Sequence, residues 1–242
     1  KFENFKINRS HVWFSIKLFF VNPSMYKQIL QDKPDIIHTI GLRSFQSIMA
    51  WLVSKKTKTP LISTDQGGLT THPFLKESGL FFKIIYKIQD HFIKSVLKHS
   101  SIVCAANEYE KQIFSDLYSE ANVEIIRNGI NLKSLISKKN FKEKYKIKSN
   151  FILFVGRFSK SKGIDVLIEA INIIKNDLTK LNTRLVIMGV DFGYQNEMIE
   201  TIDKLALSEH IIIIKNPPRE DVISSYGESQ FLILPSVWEL SP

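Results

Sequence analysis

The chain has 242 residues, of which 44% are hydrophobic and 24% are charged, and its formal net charge is +9. This composition excludes an intrinsically disordered chain, because enough apolar side chains are present to form a core. The one cysteine, Cys104, cannot form an internal disulfide, and its apolar neighbours predict a buried thiol. The positive charge predicts attraction to anions such as phosphorylated small molecules or acidic lipid headgroups.

Segments that insert into membranes or direct secretion are not evident. No apolar run approaches the ~20 residues that a membrane span needs. The first residues, KFENF, lack the layout of a signal peptide and do not begin with methionine. We therefore expect the sequence to begin inside a larger protein.

Short β-branched runs alternate with longer helical stretches, which is typical of βαβ units on a parallel sheet. In the first half, the pattern predicts a helix opening at Pro23 and Ser24, strands at 35–39, 61–63, 101–105 and 123–126, and helices at 44–55, 78–99 and 107–119. In the second half, it predicts strands at 151–155, 184–188, 211–214 and 231–234, and helices at 163–175, 195–206 and 219–226. Two α/β domains are thus expected, at 1–131 and 151–242.

Residues 132–150 between these domains are rich in lysine and serine. The lysines stand near only two aromatic residues, Phe141 and Tyr145, and no nucleic-acid-binding motif is present. This predicts a solvated linker with a short helix, and membrane-surface contact is the alternative. Nucleic acid is not expected as a partner.

The predicted helix at 78–99 is amphipathic and carries Lys83, Lys87 and Lys94 among its apolar residues. Such a helix can cover a sheet with its apolar stripe inward, or lie on a membrane surface. Core packing is favoured because a parallel sheet must be covered on both faces. The two interpretations do not exclude each other.

The segment most informative about chemistry is 151–170, FILFVGRFSKSKGIDVLIEA. A buried strand turns at Gly156, and a helix begins at Gly163. A helix N-terminus presents free N–H groups to an anion. Arg157 and Lys162 bracket the turn, which suits a pyrophosphate. The alternative is an ordinary βα turn with two surface cations, since GxGxxG and Walker patterns are absent.

This strand, Gly-Arg, loop, Lys-Gly and helix resemble the donor-phosphate segment of glycosyltransferase family 4, the group 1 glycosyl transferases. Further segments resemble that family in the same order along the chain: DIIH at 35–38, PLISTDQGG at 60–68, VEIIRNGIN at 123–131, RLVIMG at 184–189 and FLILPSVWE at 231–239. Arg127 and Asn131 depart from the family's proline and aspartate.

The resemblance implies the GT-B fold, with two Rossmann-like domains whose parallel sheets face each other across a cleft, both incomplete here. It implies a retaining, hexosyltransferase-like enzyme that moves a sugar from a UDP- or GDP-sugar to a glycan or lipid-linked acceptor without a required metal. The expected setting is cell-surface polysaccharide or glycolipid synthesis in the cytoplasm, with peripheral contact to an anionic membrane. The sequence shows no DxD pair and no His/Cys/Asp cluster for a metal.

In this resemblance Arg157 and Lys162 hold the pyrophosphate, and Glu239 contacts the transferred sugar. The residues implied to line the donor site are Gly156, Arg157, Lys162, Gly163, Gly189, Ser236 and Glu239. The family's acceptor-side loop often carries a histidine where Gln66 stands here. Either the chemistry needs no base, Asp65 contributes, or the alignment is shifted by one residue. His38 is expected to be structural.

A second glutamate is expected about eight residues beyond Glu239, past the end of the sequence. We therefore expect little or no transferase activity from this chain alone. The altered Gln66 loop leaves open an alternative, a non-catalytic GT-B protein that binds a nucleotide sugar or scaffolds a glycan assembly complex. A GT-B epimerase is disfavoured by the Gly-Arg and Lys-Gly segment.

Overall fold

A computed structural model describes residues 6–16, 19–65, 79–135 and 140–239 of the chain. The chain divides into two compact units, of which the first ends at Asn128 and the second begins at Gly129. Each unit contains a parallel sheet with helices between its strands. The predicted α/β class is therefore confirmed.

The first unit contains a four-stranded parallel sheet and a separate antiparallel pair. Its strands are β1 Phe14–Ile16, β2 Phe19–Val21, β3 Ile37–Ile40, β4 Leu61–Thr64, β5 Ile102–Ala105 and β6 Val123–Ile125. Its helices are α1 Ser24–Asp32, α2 Phe45–Thr57, α3 Leu80–His99 and α4 Glu108–Leu117. The sheet order is β3-β4-β5-β6, whereas β1 pairs only with β2. The β1–β2 pair was not predicted, since strands of three residues show no readable period.

The core of the first unit lies between this sheet and the helices. Leu61 of β4 and Val103 of β5 are buried against Val53 of α2 and Val96 of α3. Cys104 is also buried in β5 as a free thiol, so the predicted buried cysteine is confirmed. The strand β5, with the sequence IVCA, is the kind of continuous apolar strand that is expected where a parallel sheet is covered.

The amphipathic helix α3 buries only part of its apolar surface. Ile93, Val96 and Leu97 lie in the core, which confirms the predicted packing on the sheet for the C-terminal half. Leu80 and Ile84, by contrast, are exposed in the N-terminal half. Within the described ranges, no helix is both long enough and apolar enough to cross a bilayer.

The second unit contains a three-stranded parallel sheet in the order β7-β8-β9. Its strands are β7 Asn150–Val155, β8 Thr183–Gly189 and β9 Ile211–Lys215. Its helices are α5 Phe141–Lys144, α6 Ile164–Lys180, α7 Gln195–Lys204 and α8 Arg219–Glu228, with 3-10 turns at Leu132–Leu135 and Lys160–Lys162.

The predicted strand at 231–234 is reduced to one parallel bridge, between Leu232 and Leu153. Leu153 N–H donates to the Phe231 carbonyl at 3.0 Å, and Ile233 N–H donates to the Leu153 carbonyl at 2.8 Å. Because β8 occupies the other edge of β7, this segment continues the sheet beyond β7. It carries the chain towards Pro235 and the residues after it.

The structure differs from the predicted linker at 132–150, because part of that range is core. Phe141 and Ile147 are buried together with Phe151 of β7. Helix α5 has no side-chain cap of its own, and the Glu228 carboxylate accepts hydrogen bonds from the N–H groups of Phe141 and Lys142 at 2.7 and 3.1 Å. The segment around α5 is therefore packed into the second unit rather than solvated.

Candidate functional site

The ends of β7 and β8 in the second unit meet backbone to backbone. A Cβ atom on Gly189, the last residue of β8, would lie 1.7 Å from the carbonyl oxygen of Gly156, which follows β7. A contact that short is impossible, so no larger residue fits without a backbone shift. The two glycines thus allow the backbones after β7 and at the end of β8 to approach each other closely.

A second close approach fixes the start of helix α6. Gly163 has φ +65° and joins the 3-10 turn Lys160–Lys162 to α6, and a Cβ there would lie 2.1 Å from the Pro235 carbonyl oxygen. Val237 N–H also donates to the Ser161 carbonyl at 3.1 Å. These backbone contacts bring the residues after Pro235 to the N-terminus of α6.

The side chains that meet at this point are Lys162, Ser236 and Glu239. Lys162 Nζ donates to Glu239 Oε1 at 2.5 Å, and Ser236 Oγ donates to the same oxygen at 2.7 Å. The side chains of Lys162 and Glu239 are only 15% and 28% exposed. Burial by itself raises the pKa of Glu239, but these hydrogen bonds and the charges of Lys162 and Arg157 outweigh it and lower the pKa. The carboxylate is therefore held ionised.

Arg157 lies on the same loop, and its guanidinium lies over an aromatic ring. Its guanidinium carbon lies 4.9 Å from the ring centroid of Phe192, in the loop after β8. Sequence reasoning missed Phe192. The available signal was an aromatic residue three positions after the glycine that ends a buried strand, because residues that follow neighbouring parallel strands meet at the same edge of a sheet.

The arrangement suits an anion at the N-terminus of α6. This helix is 17 residues long, its N-cap Gly163 offers no side-chain acceptor, and the preceding loop carries Arg157, Lys160 and Lys162. Helix dipole and free N–H groups attract phosphate at such an end. Asp165 in the first turn offsets part of that potential, so the loop cations contribute most of the net positive charge.

The remaining predicted site residues belong to the first unit. Gln66 lies outside the described residues. Asp65 is buried, and its Oδ1 accepts a hydrogen bond from Leu42 N–H at 2.9 Å, so it fixes the loop between β3 and α2. His38 Nε2 hydrogen-bonds to Thr64 Oγ1 at 2.8 Å, a structural contact between neighbouring strands.

A metal centre is not evident in the ranges that the structure covers. No group of three or more His, Cys, Asp or Glu side chains there is placed to hold an ion. Activity without a required metal stays a prediction.

Comparison with known protein families accounts for nearly the whole chain. Residues 6–134 match the model of Glycosyltransferase Family 4, and residues 136–242 match that of Glycosyl transferases group 1. The chain therefore belongs to glycosyltransferase family 4. The resemblance seen in the sequence motifs is thereby confirmed.

Among curated proteins, the chain is 26% identical over 223 residues to an uncharacterized 41.2 kDa protein in the cps region of Klebsiella pneumoniae, covering 88% of this chain and 57% of that protein. Among solved structures, HepE of Anabaena in complex with UDP superposes with a TM-score of 0.70 at 15% identity, covering 90% of this chain and 58% of that one. WaaG, a glycosyltransferase involved in lipopolysaccharide biosynthesis, gives 0.66 at 18% identity, covering 89% and 57%.

These likenesses confirm the predicted GT-B fold. The chain spans somewhat more than half the length of each relative.

Proposed function

We propose that this protein is a retaining glycosyltransferase that moves a sugar from a UDP- or GDP-sugar to a glycan or lipid-linked acceptor. The proposal rests chiefly on the contact of Lys162 with Glu239 at the glycine-lined start of α6. That contact places a cation and an ionised carboxylate side by side, beside a helix end that attracts phosphate. The lysine suits the pyrophosphate of the donor, and the carboxylate suits the hydroxyl groups of its sugar.

In this proposal the donor pyrophosphate binds the first turn of α6, together with Arg157 and Lys162. Breaking the sugar–phosphate bond leaves negative charge on the departing nucleotide, and fixed positive groups stabilise that charge. Gly156, Gly163 and Gly189 allow the phosphates to approach the backbone. On donor binding, Lys162 would release Glu239 and bind phosphate instead. Glu239, held near the sugar by Ser236, would then accept hydrogen bonds from the hydroxyl groups of the sugar.

Several similarities support this assignment of donor and setting. HepE was crystallised with UDP. The Klebsiella relative lies in a cps region, and WaaG takes part in lipopolysaccharide biosynthesis. We therefore propose a role in cell-surface polysaccharide or glycolipid synthesis, on the cytoplasmic side of the membrane.

The proposal is tested with the purified full-length protein, rather than with the 242-residue chain alone, and a panel of UDP- and GDP-hexoses, each with and without glycan or lipid-linked acceptors. The expected result is acceptor-dependent release of UDP or GDP that persists in EDTA, with the anomeric configuration of the product, measured by NMR, the same as in the donor. Arg157→Ala should abolish the release. Donor binding without any release would instead identify the non-catalytic nucleotide-sugar-binding alternative.

We also propose that the exposed part of α3 contacts an anionic membrane. Ile84 and Ile88 lie one turn apart and are 54% and 58% exposed, and Lys83 and Lys87 stand beside them. Apolar side chains flanked by lysines fit a surface of acidic headgroups. Core packing of the C-terminal half leaves this surface available.

Co-sedimentation with phosphatidylglycerol vesicles tests the membrane contact, with phosphatidylcholine vesicles as the reference. We expect Ile84→Asp combined with Ile88→Asp to abolish binding to the anionic vesicles. The matched control is Ile173→Asp on α6, since Ile173 is 82% exposed. Equal loss in both variants, or equal binding to both lipids, would contradict the assignment of α3.

A further inference from the structure

We infer that Phe192 is a positioning residue for the donor phosphates: its ring holds the guanidinium of Arg157 over the site. This inference rests on the proposed function, because it assumes that Arg157 binds the pyrophosphate. It concerns a residue that the sequence motifs do not single out.

The side chains of Arg157 and Phe192 are in close contact, and no ion pair of the described residues adds to that contact. The guanidinium carbon of Arg157 lies 4.9 Å from the Phe192 ring centroid, within the range of a cation–π interaction. Both residues are exposed. None of the ion pairs among the described residues includes Arg157. Among the described residues, the ring is therefore the main contact that restricts this long side chain.

The loop that carries the ring is fixed on the side that faces β7. Phe158 N–H donates to the Val190 carbonyl at 2.8 Å, and Phe192 N–H donates back to the Phe158 carbonyl at 3.0 Å. Phe158 itself is fully buried beneath these contacts. The backbone of Phe192 is thus tied directly to the residue that follows Arg157.

The same loop is also fixed on the side that faces α7. Asp191 Oδ1 accepts hydrogen bonds from the N–H groups of Gly193, Tyr194 and Gln195 at 2.9, 3.1 and 3.1 Å. Asp191 therefore caps the start of α7. Hydrogen bonds on both sides of the loop thus hold the backbone of Phe192 in place, as a positioning residue requires.

Residues that follow Phe192 also hold Lys160, another cation of the loop before α6. Lys160 Nζ lies 5.7 Å from the Tyr194 ring centroid and forms an ion pair with Glu197 at 2.8 Å. Only Lys162 points instead to Glu239. The segment after β8 thus supports two of the three cations that precede α6.

A ring is better suited than a carboxylate to hold an arginine that must bind phosphate. A ring attracts a cation through its π electrons and offers no oxygen atom that would occupy the N–H donors of the guanidinium, so those donors stay free for a bidentate contact with phosphate. An ion pair would occupy those donors and would have to break on binding. Phe192 therefore restricts Arg157 without competing with the pyrophosphate.

A double-mutant cycle on nucleotide affinity tests this inference, with the Kd of UDP and of GDP measured by calorimetry. Phe192→Leu should raise the Kd of whichever nucleotide binds more tightly by roughly 2- to 5-fold, which is the range expected for the loss of an exposed cation–π contact. Phe192→Tyr and Phe192→Trp should restore wild-type affinity. In an Arg157→Ala background, Phe192→Leu should have no further effect.

Phe231→Leu is the matched control, because Phe231 is 54% exposed and Phe192 is 60% exposed. It should leave affinity unchanged. An equal loss from Phe192→Leu with and without Arg157 would overturn the inference, since the ring would then act on the nucleotide directly. Unchanged affinity in Phe192→Leu would also overturn it. If Arg157→Ala itself retained full affinity, the proposed donor site would fail instead.

Discussion

Gly189 and Gly156 approach each other so closely that a Cβ on Gly189 would lie 1.7 Å from the Gly156 carbonyl oxygen. The same Cβ would lie 3.1 Å from the buried ring of Phe158. Backbone on one side and a packed ring on the other leave no room for relaxation. The glycine at the end of β8 is therefore required by space, and its φ angle is not in the left-handed region.

Gly189→Ala is accordingly expected to destabilise the protein. Inserting an atom into packed surroundings costs about 1–3 kcal/mol, which lowers the Tm by roughly 2–12 °C in a protein of this size. Thermal unfolding followed by circular dichroism measures the change. Gly129→Ala is the control, because its Cβ would meet nothing within 4 Å and its φ is ordinary. Equal Tm values for the two variants would contradict this expectation, because they would show that the ends of β7 and β8 can move apart to admit the methyl group.

Gly163→Ala is expected to abolish or strongly weaken nucleotide binding. A Cβ there would meet the Pro235 carbonyl at 2.1 Å and would push the residues after Pro235 away from α6. Gly41→Ala separates this effect from backbone strain, since Gly41, in the first unit, also has positive φ, +91°, but nothing lies within 4 Å of its Cβ. Strain alone costs about 1–2 kcal/mol. Calorimetric binding of UDP and GDP should fail for the first variant and persist for the second.

Lys162→Ala is expected to weaken UDP or GDP binding roughly 10- to 100-fold. One charge-assisted hydrogen bond to phosphate contributes about 1.5–3 kcal/mol, and Lys162 is largely buried beside the helix end. Lys160→Ala is the comparison, because that exposed lysine pairs with Glu197 instead. It should change affinity about 2-fold at most. Similar losses in both variants would indicate a diffuse charge effect rather than a defined phosphate contact.

Much of the site could be predicted because its residues follow buried strands at short, fixed spacings. Gly156, Arg157, Lys162 and Gly163 follow β7 directly, and the structure brings them together with Glu239. Parallel strands end at one edge of a sheet, so residues after neighbouring strands must meet there. That relation holds even where the strand itself is irregular, as it is before Pro235.

Phe192 and the role of α5 could not be predicted in the same way. An aromatic residue in a loop has no period, and its partner Arg157 is distant in sequence. The lysines around α5 indicated a solvated segment, but three of its residues are bound by acids of α8: Phe141 and Lys142 by Glu228, and Lys144 by Asp221. Both the position of Phe192 and the packing of α5 depend on contacts between elements that are far apart in the chain. The charge content of a segment does not reveal such contacts.

The buried carboxylate of Asp221 gives a pH-dependent test of that packing. Lys144 Nζ donates to both of its oxygens at 2.8 Å, and Tyr145 Oη donates at 2.5 Å. Burial alone raises the pKa of Asp221, but these hydrogen bonds outweigh it and lower the pKa below its usual value. Because the folded-state pKa is the lower one, the stabilisation is present above the ordinary aspartate pKa of about 4 and is lost as the pH falls below it.

Asp221→Asn should therefore lower the free energy of unfolding most at pH 7, by about 1–2 kcal/mol, because the Lys144 side chain is 48% exposed and its charge stays solvated when the pair is lost. The difference from wild type should shrink as the pH falls below about 4, because protonated aspartate then resembles asparagine. Urea unfolding at a series of pH values measures this, and Lys148→Ala, at an exposed lysine of the same segment, should match wild type throughout. A difference that stays constant with pH would mean that Asp221 acts through shape rather than charge. The segment around α5 would then be held to α8 mainly by its apolar contacts.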